Sequence, residues 1–78
     1  MNKAMTVREV LENNKNEVVE IRTTENMGGL LESGNACEML VELPYYEETA
    51  NILDMTVKSV QRVKYSFCND TYIEIIVK

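Results

Sequence analysis

Apolar residues recur with helical spacing at Val7, Val10 and Leu11, and again at Ala36, Met39, Leu40 and Leu43. Between and after these stripes the spacing turns to alternation, with Val19 and Ile21 on one parity and Thr71, Ile73, Ile75 and Val77 on another. The pattern therefore predicts helices and strands interleaved along the chain, separated by Asn-, Gly- and Asp-containing turns.

Thr6-Val7-Arg8-Glu9 is a capping box: the Thr6 hydroxyl can accept the Glu9 N–H while the Glu9 carboxylate reaches back to the Thr6 N–H. A short helix follows, and Asn13-Asn14-Lys15-Asn16 ends it, since asparagine tolerates the left-handed conformation common at helix exits. Glu17 to Thr23 reads as a half-buried strand. Thr24 to Gly29 is a loop whose paired glycines permit positive φ, and Leu30 to Ser33 can return as a second strand.

From Gly34 the period changes. Asn35 offers a second cap, with Glu38 at the capping-box position, and a helical stripe follows up to Leu43. Pro44 either kinks this helix or opens a further helical piece, with Tyr46, Ala50 and Leu53 on one side and Glu47, Glu48 and Asp54 on the other. The closing segment predicts a hairpin, Met55 to Phe67 and Thr71 to Val77, linked by Cys68-Asn69-Asp70. Val57 and Val63 share a parity in its first strand and Val60 does not, so a bulge near Ser59 to Gln61 or a strand apolar on both faces is expected. The predicted fold class is α+β, in the order α-β-β-α-β-β, with about four strands in a mostly antiparallel sheet and helices on one face. Strand order is left open by the pattern.

A chain of 78 residues makes one small domain, spanning 1–78. Folding at this size buries only about 60% of the surface exposed by the unfolded chain, which leaves room for a homodimer or a partner-bound state. No apolar run approaches the roughly 20 residues needed to span a bilayer, and the start lacks the apolar core of a signal peptide, so no membrane association and a cytoplasmic location are expected. In that compartment Cys37 and Cys68 would stay as thiols. The net charge of −5 repels phosphate, which argues against direct nucleic-acid binding. It is compatible with a protein partner that has a basic surface, and also with acidity that serves solubility alone.

The chemistry of catalysis is thin. There is no histidine, so the commonest neutral-pH proton shuttle and metal ligand are both missing, and neither cysteine has a base to activate it. Zinc would need paired cysteine spacing, Ca²⁺ an EF-hand loop, and phosphate binding at Gly28-Gly29 a following Gly-Lys-Ser/Thr; none occurs. The expectation is no catalytic residue, no metal and no cofactor. Tyr45 and Tyr46 could anchor a partner, or one ring could pack on the sheet while the other lies half exposed. Tyr65, Phe67 and Tyr72 are expected to cluster by cross-strand pairing at the hairpin end.

The blocks Met5-Thr6-Val7-Arg8-Glu9-Val10-Leu11-Glu12, Val18-Val19-Glu20-Ile21-Arg22, Ser33-Gly34-Asn35-Ala36-Cys37-Glu38-Met39-Leu40, Leu53-Asp54-Met55-Thr56-Val57-Lys58-Ser59-Val60 and Tyr72-Ile73-Glu74-Ile75-Ile76-Val77 resemble, in layout and hydrophobic spacing, small accessory proteins of phages and mobile elements in Gram-positive bacteria. That resemblance implies a cytosolic mobile-element product encoded near genes that counter host defence; it carries no site pattern to transfer. The expected function is a non-enzymatic protein-interaction module, with an anti-defence inhibitor of the anti-CRISPR type as its specific form, occupying a basic surface on a host nuclease complex. Glu38, Glu42, Tyr45, Tyr46, Glu47 and Glu48 are the candidate partner-binding residues. The alternative is an oligomeric binder or sponge for a nucleotide signal, with Arg8, Arg22, Arg62 and the Gly28-Gly29 loop as phosphate contacts.

Overall fold

The computed structural model describes residues 5–23 and 29–78, and its elements run α1 (Val7–Asn13), β1 (Val18–Arg22), β2 (Leu30–Asn35), α2 (Ala36–Glu42), two 3₁₀ turns (Leu43–Tyr45 and Ala50–Asp54), β3 (Val57–Lys64) and β4 (Thr71–Val77). The predicted loop from Thr24 to Gly28 lies outside the described residues. Both predicted caps form. Thr6 and Glu9 exchange the two hydrogen bonds of the capping box, and the Asn35 carboxamide oxygen accepts from the N–H groups of Cys37 and Glu38. The end of α1 falls at the expected asparagines. Asn14 has φ −137°, and its side chain donates to the Val10 carbonyl at 2.8 Å.

The fold is α+β, with one four-stranded sheet in the order β2-β1-β4-β3. Two antiparallel pairs, β1 with β2 and β3 with β4, are joined through a parallel pairing of β1 and β4, so the sheet is mixed. This settles the strand order that the pattern left open: the two pairs meet at the centre and not at their edges. Strand alternation then fixes the faces. Val19 sits opposite Ile73 and Ile21 opposite Ile75, and these residues with Val77 form the sheet side of the core. The helical layer closes over them with Val7, Val10 and Leu11 of α1, Ala36 and Met39 of α2, Leu43, and Ile52 and Leu53 of the second 3₁₀ turn.

Backbone hydrogen bonds tie the layers together outside the regular elements. The Val7 N–H donates to the Met55 carbonyl at 3.1 Å, the Val57 N–H to the Met5 carbonyl at 2.8 Å and the Ala36 N–H to the Glu17 carbonyl at 3.0 Å. Pro44 occupies the start of the first 3₁₀ turn, where its missing N–H costs nothing, and the chain leaves helical geometry at Tyr46. The bulge in β3 lies between Val57 and Ser59, just ahead of the predicted place. With Lys58 as the extra residue, Val57 pairs with Val77 and Val60 with Ile75, so both valines start from the helix-covered side. Among the described residues no helix is long and apolar enough to cross a membrane.

Candidate functional site

α2 and the turn after it divide their residues by face. Ala36, Met39 and Leu43 are buried, while Glu38, Val41, Glu42 and Tyr45 fall at i, i+3, i+4 and i+7 on the outer side. Val41 is 71% exposed and Tyr45 81% exposed, so two large apolar groups stand in water between carboxylates. Tyr46 is 56% exposed, and its ring meets that of Tyr45 edge-on, with centroids 5.1 Å apart at 75°. Neither ring packs on the sheet. The backbone turns extended at Tyr46, and Ile52 and Leu53 of the next turn join the core instead.

Glu47 and Glu48 are exposed in the turn that follows. The Thr49 hydroxyl closes that turn by donating to the Leu43 carbonyl at 2.7 Å. All six candidate partner-binding residues, Glu38, Glu42, Tyr45, Tyr46, Glu47 and Glu48, thus lie at the surface on consecutive elements. Charge is also segregated along the sequence. From Thr23 to Val57 the chain has Glu25, Glu32, Glu38, Glu42, Glu47, Glu48 and Asp54, and no lysine or arginine.

Among the described residues the other side of the sheet carries no helix, and of its residues only Arg22 stood out in the sequence as a candidate contact. Glu20 and Glu74 are register partners there, as are Arg22 and Ile76. Arg22 is only 8% exposed, and it donates from Nε and Nη2 to a single Glu20 oxygen at 3.1 and 2.7 Å. Its Nε lies 3.8 Å from a Glu74 oxygen, and the other Glu74 oxygen accepts from the Gln61 side chain at 2.6 Å.

Over this layer stand Tyr72 of β4 and the rings of Tyr65 and Phe67 from the β3–β4 connection. Tyr65 is 4.9 Å from Tyr72 and 5.2 Å from Phe67, centroid to centroid, which forms the aromatic cluster expected from the sequence. Together with Lys64 and Ser66 these groups surround an open hollow of about 280 Å³. Burial first, and then the charges of Glu20 and Glu74, push the Tyr72 phenol above its ordinary pKa against the opposing effect of Arg22. The signal that could have found this hollow was the spacing of Glu20 and Arg22, and of Tyr72 and Glu74, each two apart on a strand. What the sequence withheld was that β1 and β4 are neighbours.

The arginines named as phosphate contacts do not converge. Arg8 pairs with Asp54 at 2.5 Å, Arg22 with Glu20, and Arg62 with Glu17. Arg22 lies on the helix-free face, whereas Arg62 is opposite Ile73 on the covered one and Arg8 is on α1. Gly28 is outside the described residues, and Gly29, at φ 61°, accepts the Thr23 N–H at 3.0 Å in a turn. Cys37 is exposed and Cys68 half-buried, and both are free thiols. Among the described residues no group of three or more His, Cys, Asp or Glu side chains is placed to hold a metal ion. No protein-family model matches the chain, and neither a curated protein nor a solved structure does.

Proposed function

We propose that this chain is a non-enzymatic interaction module that binds a protein with a basic surface through the outward face of α2 and the turn after it. The observation that carries this reading is the exposure of Val41, Tyr45 and Tyr46 among Glu38, Glu42, Glu47 and Glu48. Rigid aromatic and apolar groups supply affinity when buried by a partner, and surrounding carboxylates speed the encounter with a cationic surface and select for it. Leaving such groups in water has no structural benefit to the isolated fold, since the core is already filled from the inner side of the same elements. The resemblance to small mobile-element proteins gives the reading its specific form, an anti-defence inhibitor of the anti-CRISPR type acting on a host nuclease complex in the cytoplasm.

The test uses the full chain immobilised against Gram-positive host lysate and against a purified nuclease complex, at low and high salt. Wild type should retain a basic protein, with retention falling as salt rises. A Glu47→Lys, Glu48→Lys double variant and a Tyr45→Ala variant should each lose it while remaining folded. Retention that is indifferent to salt and to all three changes would refute the surface.

A further inference from the structure

On the opposite side of the sheet, the hollow bounded by Glu20, Arg22, Glu74, Tyr65, Phe67 and Tyr72 has the composition of a binding site for a positively charged group. Its floor is ionic and nearly dry: the Glu20, Arg22 and Glu74 side chains are 21%, 10% and 12% exposed. Two carboxylates face one guanidinium on this floor, and Lys64 at the rim brings the charged groups of the lining to two of each sign. Arg22 spends its two short contacts on Glu20 and approaches Glu74 only at 3.8 Å, while the remaining strong contact of Glu74 is to the neutral Gln61 amide. At the floor an anion would have to compete with Glu20 for the Arg22 donors already engaged.

The walls point the same way. Tyr65 lies 5.2 Å from Phe67 and 4.9 Å from Tyr72, centroid to centroid, and ring faces present negative charge density to a cation. Phe67 is 81% exposed, an apolar ring held over the hollow with nothing covering it. Lys64 belongs to the rim, and its pairing with Thr71 starts its side chain from the helix-covered side. At about 280 Å³ the space is at or below the small end of ligand pockets, enough for a head group and a short stem.

We propose that this hollow binds an organic cation, an alkylammonium or guanidinium head on an apolar stem, between the Glu20–Glu74 floor and the Tyr65, Phe67 and Tyr72 rings. The site is separate from the α2 surface, and neither depends on the other. Choline, Nα-acetyl-lysine methylamide and Nα-acetyl-arginine methylamide are titrated into the full chain, with the tyrosine and phenylalanine ring resonances followed by NMR. The carbon isostere of choline, neutral and of the same shape, is the control, and inorganic phosphate is the anion control.

At least one cation should shift the rings of Tyr65, Phe67 and Tyr72 saturably, with no response to the isostere or to phosphate. Choline as the tightest probe assigns a free quaternary ammonium, and either amino-acid amide as the tightest assigns a side chain of a protein. Phe67→Ala and Glu74→Gln should each weaken binding by about tenfold. Should Glu74→Gln fail to fold, Phe67→Ala decides alone, because its ring is exposed. No response to any cation, an equal response to the neutral isostere, saturable binding of phosphate at these rings, or unchanged affinity in Phe67→Ala overturns the proposal.

Discussion

Arg22 gives its Nε and Nη2 hydrogens to one oxygen of Glu20, at 3.1 and 2.7 Å, on the sheet face that no helix covers. With side chains only 10% and 21% exposed, this pair sits where water screens little, and removing the cation leaves Glu20 beside its register partner Glu74. Arg22→Met is therefore expected to lower the free energy of unfolding by about 3 kcal/mol, read from urea denaturation. Arg62 and Glu17 form the contrasting case, at 51% and 29% exposed. Arg62→Met should cost less than about 1 kcal/mol, and that cost should shrink further in salt. Equal losses from the two substitutions would contradict the difference in burial.

Tyr72 makes a second prediction about the same face. Its phenol is raised by burial first and by Glu20 and Glu74 after that, so it should lose its proton above the ordinary tyrosine value of about 10 when its ring resonances are followed with rising pH. A group whose folded pKa lies above its unfolded one stabilises the fold fully below the unfolded value, about 10 for tyrosine, and loses that contribution as pH climbs through the folded value. Alkaline unfolding should accordingly be delayed in Tyr72→Phe. Glu74→Gln should move the Tyr72 titration down only in part, because burial is the larger cause.

The start of α1 rests on a reciprocal pair, the Glu9 N–H to the Thr6 hydroxyl at 3.3 Å and the Thr6 N–H to the Glu9 carboxylate at 3.2 Å. Thr6→Ala should cost about 1 kcal/mol in urea unfolding, and Thr6→Ser much less, since serine keeps the accepting oxygen. The Thr6→Ala, Glu9→Ala double variant should cost less than the sum of the singles, because each half orients the other. Strict additivity would show the two bonds to be independent.

These local features were legible in the residues because a cap needs only its own neighbours. The Thr6 and Asn35 caps, the inward parity of Val19, Ile21, Ile73, Ile75 and Val77, and the outward placement of Glu38 and Glu42 all follow from spacing within one element. Contacts between distant elements were not legible. Nothing near Glu20 in the sequence announces Glu74, so the burial of Arg22 between them had no local sign. The exposure of Tyr46 was hidden for a related reason: the chain turns extended there, and Ile52 and Leu53 of a separate turn complete the core.

Val60 tests the bulge most directly. The extra residue Lys58 returns Val60 to the side of Ile75, its register partner, yet Val60 is 43% exposed while Ile75 is fully buried. The two differ because Ile75 lies on an inner strand under the helical layer, whereas Val60 is on the edge strand, outside the cluster that the helices cover. Ile75→Ala should cost about 2–5 kcal/mol, since it opens a cavity that rigid neighbours on both layers cannot close. Val60→Thr, by contrast, should change stability by no more than about 0.5 kcal/mol. Val60→Lys should leave the sedimentation coefficient unchanged across protein concentration, as expected of an edge that the bulge and its flanking charges keep from pairing with another copy. A concentration-dependent species lost on Val60→Lys would mean that a second chain covers this valine.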